Sequence, residues 1–146
     1  MKVTVNINGK DTEIELTADQ VQKVKKATEK ITDRIKTFSD VLQAVSEERR
    51  DEWAAACVNL DLQGIANEKV KLIAEVLNEG WEAEPFNENQ YKYYPYFQVK
   101  NKAFVFYYCF TWGSDTYVGS RLCFKSVELA TYAGKQFIDI YNNLLK

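Results

Sequence analysis

Residues 93–124 read YYPYFQVKNKAFVFYYCFTWGSDTYVGSRLCF, and this stretch decides the fold. Tyr, Phe and Val suit a pleated, half-buried surface. Two breaks, Lys100-Asn101 and Gly113-Ser114-Asp115, cut it into three runs: about Tyr93–Val99, Ala103–Trp112 and Tyr117–Phe124. Such runs, separated by turn residues, predict a three-stranded antiparallel meander. Ser126 then caps a last helix that carries Leu129, Tyr132, Ala133, Phe137, Ile140, Tyr141 and Leu144 on one apolar face. That face needs a sheet to cover, so residues 81–146 are expected to form a β-β-β-α unit.

Upstream the pattern changes. Val3, Val5 and Ile7 alternate with polar residues, as do Ile14 and Leu16, and Asn8-Gly9 lies between the two runs. Asn-Gly supplies the positive φ angles of a tight turn, so residues 2–8 and 11–16 predict a β-hairpin. Thr17 and Gln20 form a capping box. The helix after it sets Val21, Val24, Thr28, Ile31, Ile35 and Phe38 on one stripe, with Lys23, Lys25, Lys26 and Lys30 on its solvated side. Ser39 opens a second helical stretch. Ser46 caps a third, which holds Trp53, Ala56, Cys57 and Leu60, and Gly64 breaks the pattern. A fourth helix, about Ala66 to Asn78, buries Val70, Ile73, Ala74 and Leu77 and stops at Gly80. The expected fold class is α+β: an N-terminal β-hairpin, central helices, and a three-stranded antiparallel aromatic-rich sheet with a C-terminal helix. Residues 1–80 form the hairpin and helical segment and 81–146 the aromatic unit, together one compact domain.

At 146 residues and 16.9 kDa, with two prolines and six glycines, the chain has no room for a long flexible linker. It contains no histidine, which excludes Ser-His and Cys-His nucleophiles and His-ligated metals. The cysteines Cys57, Cys109 and Cys123 form no CxxC pair and no zinc spacing, and their apolar neighbours raise thiol pKa values. There is no P-loop, GxGxxG or GxSxG. Glu82, Glu84, Glu88 and Asp115 carry no spacing that demands a paired-acid site. The run Glu47 to Glu52 is a solvated helix face. These features predict a non-enzymatic protein without metal or cofactor. The opening MKVTVNING has no apolar signal core, and the longest apolar run, Ala103 to Phe110, is too short for a bilayer, so a reduced, soluble, cytoplasmic protein without a membrane partner is expected.

Three segments, LNEGW, NENQYKYYPYF and VGSRLCFKSVELATYAGKQFIDIY, resemble a group of small phage and prophage proteins of gut bacteria. The resemblance covers about residues 70–146. It implies a phage or mobile-element origin, hence the cytoplasm of a bacterial host, and it carries no activity to transfer.

Two constellations are candidate binding sites. Fifteen of the 20 aromatic residues lie between Trp81 and Phe124, more than one face of a small sheet can hold. Tyr91, Tyr93, Tyr94, Tyr96 and Trp112 are therefore candidates for an exposed face that anchors a protein or stacks bases. The opposing reading covers that second face with helices from residues 18–78. The other constellation is the entrance of the last helix, where Arg121, Lys125 and Ser126 adjoin free backbone N–H groups suited to a phosphate. Its ordinary reading is a serine cap with a solvated Lys125 and an Arg121 paired to Glu128. Residues 91–146 carry seven basic and three acidic side chains, although the whole chain is net −2. The expected function is that of a phage accessory protein that binds a protein partner: a host factor such as a defence system, or a phage assembly. The alternative is single-stranded nucleic-acid or nucleotide binding. The short edge Val3–Ile7, with its polar alternates, does not require a dimer.

Overall fold

The computed structural model describes residues 2–7, 9–112 and 122–146; the side chains of 5, 7, 25–27 and 112 lie outside the description. The chain divides into two compact units, Met1–Arg34 and Ile35–Lys146.

In the first unit, β1 (Lys2–Ile7) pairs antiparallel with β2 (Lys10–Glu15), with Val3 opposite Ile14. Gly9 takes φ +83° in the turn, and its N–H donates to Asn6 Oδ1 at 3.0 Å. The expected capping box is present. Gln20 N–H donates to Thr17 Oγ1 at 3.3 Å, and Thr17 N–H donates to Gln20 Oε1 at 2.9 Å. It opens α1 (Ala18–Thr28), and α2 (Ile31–Arg34) follows. The predicted stripe from Val21 to Phe38 is thus not one helix. Thr28 Oγ1 donates back to the Val24 carbonyl at 2.9 Å, a contact that weakens a helix end.

The second interruption begins the second unit. Asp40 accepts the N–H groups of Lys36 and Thr37, and Asp40 N–H donates to Thr37 Oγ1, which starts a fresh helix. Those N–H groups hold the Asp40 carboxyl below its usual pKa. The fresh helix is α3 (Phe38–Ala44), followed by α4 (Glu47–Cys57) with its expected Ser46 cap. Next comes α5 (Leu62–Asn78), which starts at Asp61 and runs through Gly64. α5 is the centre of the unit, with α3, α4, α6 and α7 around it. Val70, Leu72, Ile73, Ala74 and Leu77 are sealed there. By contrast α4 buries no residue completely, and it is held by the Trp53 ring, 5.2 Å from that of Phe38, and by polar contacts. Arg49 forks onto Glu75 at 2.9 and 3.2 Å, and Arg50 donates to the Leu42 and Val45 carbonyls. Because α5 packs on the C-terminal helices, residues 35–80 belong with 81–146. The change of composition at Trp81 marks a layer and not a boundary.

The sheet has two strands, β3 (Lys92–Lys100) and β4 (Ala103–Trp112), joined by Asn101 and Lys102 with φ of 52° and 61°. Two positive φ angles make the tight turn whose twist matches the strands. The expected third strand is not formed among the described residues. Most of Tyr117–Phe124 lies outside them, and Phe124 contributes one bridge to Tyr93, with N···O distances of 3.1 and 2.8 Å. A helix side chain holds the neighbours of Phe124. Asn78 Nδ2 donates to the Cys123 carbonyl at 2.8 Å, and Asn78 Oδ1 accepts from Lys125 N–H at 2.9 Å. The last helix is also divided, into α6 (Val127–Gln136) and α7 (Ile138–Asn142), with Phe137 between them at φ −107° and ψ 26°.

α6 lies directly on the sheet at Gly134. A Cβ there would stand 2.6 Å from Pro95 Cβ and 2.7 Å from Phe106 Cδ2. Gly134→Ala gains about 1 kcal/mol of helix propensity. The clash outweighs it, so urea unfolding is expected to show a net loss of about 1–2 kcal/mol. The Tyr141 hydroxyl is buried with no hydrogen-bond partner among the described residues, and burial pushes its pKa up. A raised pKa favours folding below the unfolded value, and that contribution is lost as pH rises towards the folded one. Tyr141→Phe should therefore keep or raise the urea midpoint at neutral pH and flatten its decline above about pH 10.

Candidate binding face

Register assigns the two faces of the β3–β4 sheet. Pro95 opposes Cys109, Phe97 opposes Phe106 and Val99 opposes Phe104. Pro95 and Phe106 meet Gly134, and the Phe97 ring lies tilted 4.8 Å from that of Tyr141, so this set faces α6 and α7. The alternate set faces away: Tyr96 opposes Tyr108 and Tyr94 opposes Phe110. Between Tyr96 and Phe97 the register slips by one residue, which leaves Tyr107 as a bulge. Strict alternation from Phe104 and Phe106 would turn Tyr108 inward. The extra residue sends Tyr107 and Tyr108 out together and brings Cys109 in.

The outer face is a connected aromatic cluster. Tyr96 and Tyr108 lie 4.9 Å apart, Tyr107 and Tyr108 5.1 Å, and Tyr96 and Phe110 6.4 Å between ring centroids. Tyr107 is 57% exposed, Tyr96 49% and Val105 44%. The helices of residues 35–78 do not cover it, because they pack around α5 and the opposite face. The hydroxyls keep the cluster compatible with water, while the rings present rigid apolar area.

The remaining predicted residues fall in different places. Tyr91 is exposed at the start of β3, and Tyr93 is half-buried and bridged to Phe124. Tyr94 is half-buried, with its hydroxyl turned away from solvent. Trp112 pairs with Lys92 through the backbone. Arg121 lies outside the described residues. Lys125 forms an ion pair with Glu79 at 3.3 Å, and Ser126 Oγ accepts from Leu129 N–H as an ordinary cap. The helix entrance therefore commits both of its described polar residues to structure. Lys92, counted towards a positive face by sequence, is buried and donates to the Gln90 and Asn87 carbonyls at 2.9 and 3.3 Å. Tyr107 and Tyr108 were visible as aromatics, but the bulge that turns both outward leaves no signal in residue type.

A cavity of about 640 Å³ opens beside α5 and is lined by Arg49, Glu68, Lys71, Glu75, Trp81 and Cys123. Four of its charges are paired within the wall, Arg49 with Glu75 and Lys71 with Glu68, and Glu82 also lines it. The acids Glu82, Glu84 and Glu88 are exposed, and Glu84 accepts from Asn87 Nδ2. Asp115 lies outside the described residues. Among the described residues no three Cys, Asp or Glu side chains cluster as metal ligands, and no helix is long and apolar enough to cross a membrane. Cys57, Cys109 and Cys123 are free thiols, and burial pushes the pKa of each up.

Compared with family models, with curated proteins and with solved structures, the chain matches none.

The two faces predict opposite responses to truncation. Phe97→Ala should cost roughly 2–4 kcal/mol in urea unfolding, because it empties the contact with Phe104, Phe106 and Tyr141. Tyr107→Ser should cost no more than about 1 kcal/mol, the span of strand propensity. Equal losses at the two positions would mean that the outer rings are core.

Proposed function

We propose that the protein is a non-enzymatic phage accessory protein that binds another protein through the outer face of β3 and β4. A host factor or a phage assembly component, in the cytoplasm of a bacterial host, is the expected class of partner. The exposure of Tyr96, Tyr107 and Tyr108 as one contiguous cluster carries this reading. Tyrosines of this kind anchor protein interfaces, because each buries a large rigid ring at small entropic cost and still satisfies its hydroxyl.

Nucleic-acid binding through the same rings needs cations placed for the phosphates. Among the described residues, Lys92 is buried under loop carbonyls and Lys125 is paired with Glu79, and the lysines of the β3–β4 hairpin that stay exposed are Lys100 and Lys102 at its turn. The protein reading is favoured on that ground.

The test is affinity capture from bacterial extract with the wild type and with Tyr96→Ala/Tyr107→Ala/Tyr108→Ala, after circular dichroism confirms that both are folded. A protein retained by the wild type alone, and rebound with the same dependence once purified, supports the proposal. Identical captures overturn it. So does tight, salt-sensitive binding of oligothymidylate that the triple variant loses, because that result transfers the face to single-stranded nucleic acid.

A further inference from the structure

The corner between α4 and α5 leaves its apolar side chains in water. Val58 is 64% exposed and Leu62 47%, and Leu60 between them is exposed as well. Two polar residues build the corner. Asn59 takes φ 65° to turn the chain, and Asp61 caps α5 by accepting Gly64 N–H at 2.8 Å. Leu60 rests over Gly64, where a Cβ would stand 3.1 Å from its own. The turn itself does not need an apolar side chain at Val58 or Leu62. Exposed apolar side chains gathered at one place mark an interaction surface.

The corner continues into an acidic helix face. Glu47, Asp51, Ala54 and Val58 follow one another at steps of four, three and four residues, and all are exposed, as are Glu48 and Ala55 beside them. Glu47 and Asp51 are like charges one turn apart, and so are Glu48 and Glu52. Each such pair works against the helix that carries it. The cations of α4 are turned elsewhere. Arg49 is held by Glu75 and Glu52, and Arg50 donates to the Leu42 and Val45 carbonyls. Among the described residues no ion pair reaches Glu47, Glu48 or Asp51.

This combination selects the occupant. A second copy laid on the same stripe sets these acids either against their mates or, antiparallel, against the partner's apolar corner, and gives them no cation in either case. An anionic lipid surface is repelled. A segment with apolar side chains for the corner and lysine or arginine for the acids satisfies both. Ala54 and Ala55 are small enough for a helix to lie close along α4. We propose that α4 and the corner at Val58 dock a basic amphipathic helix of another protein. Its apolar residues meet Val58, Leu60 and Leu62, and its cations stand beside Glu47, Glu48 and Asp51. The site shares no element with the outer face of β3 and β4 and does not depend on the reading of that face.

The test titrates the full chain against a fluorescein-labelled helical peptide with leucine on one face and lysine on the other, read by anisotropy. Saturable binding that weakens as salt rises is expected. The same peptide with glutamate for lysine should bind about tenfold more weakly. Val58→Ser/Leu62→Ser changes exposed side chains, should keep the circular dichroism spectrum, and should weaken the lysine peptide about tenfold. Glu47→Lys/Asp51→Lys should reverse the preference between the two peptides, which a general loss of structure cannot do. A lysine peptide that does not bind, or that binds both variants as it binds the wild type, overturns the proposal. So does binding lost in Tyr96→Ala/Tyr107→Ala/Tyr108→Ala, which puts the peptide on the outer face. A dimer in light scattering that Val58→Ser/Leu62→Ser abolishes gives the corner to a second copy. Pelleting with phosphatidylglycerol vesicles that the same variant abolishes gives it to a membrane. Either of these results also overturns the proposal.

Discussion

Asn78 stands at the end of the most buried helix and has a short, fully buried amide. It donates to the Cys123 carbonyl and accepts from Lys125 N–H, and so spans Phe124, which bridges to β3. Three layers meet at this point: α5, the strand-like segment around Phe124, and the sheet. A buried peptide group without a partner costs about 1–3 kcal/mol. Asn78 removes that cost for two such groups at once, and no apolar side chain of its size does so. With residues 123–125 fixed, Ser126 is in position to cap α6, and α6 can lie on the sheet.

The sheet is asymmetric because of that docking. Gly134 lets α6 approach Pro95 and Phe106 until the backbone nearly touches the rings, and α7 brings Tyr141 against Phe97. One face is consumed. Among the described residues of 35–146 no helix packs on the other, and the bulge at Tyr107 turns Tyr108 onto it as well. Charge follows the same division. Lys92 and Lys125 are spent on loop carbonyls and on Glu79, so among the described residues the outer face is aromatic and hydroxylic, with Lys100 and Lys102 at the hairpin turn. The proposed binding of a protein rests on this composition.

Much of this was legible in the residues. Ala103–Trp112 is a strand with the bounds that its β-branched and aromatic run predicts, and Ser46, Ser126 and Thr17 cap the helices they precede. Local propensity and hydrogen-bonding chemistry suffice for such elements. The misses have a different origin. The apolar stripe from Val21 to Phe38 keeps helical spacing across two interruptions, and the box of Thr37 and Asp40 that restarts the chain is hidden by that regularity. Gly64 suggests a break, yet Asp61 caps ahead of it and packing carries the helix through. Of the expected third strand, residues 117–121 lie outside the described residues, and Phe124 is bridged to Tyr93 while Asn78 binds its two neighbours. The bulge, the outward turn of Tyr107 and Tyr108, and the burial of Lys92 all depend on which face α6 occupies. That choice is made between elements distant in sequence.

The most direct test of the account is hydrogen exchange at the amides of Tyr93 and Phe124 in the wild type and in Asn78→Leu, a substitution of similar volume without the amide. If Asn78 fastens the sheet to the helices, both amides lose protection in the variant while the Tyr108 and Phe110 amides, bonded within the hairpin, keep theirs. Unchanged protection at Tyr93 and Phe124 would contradict it.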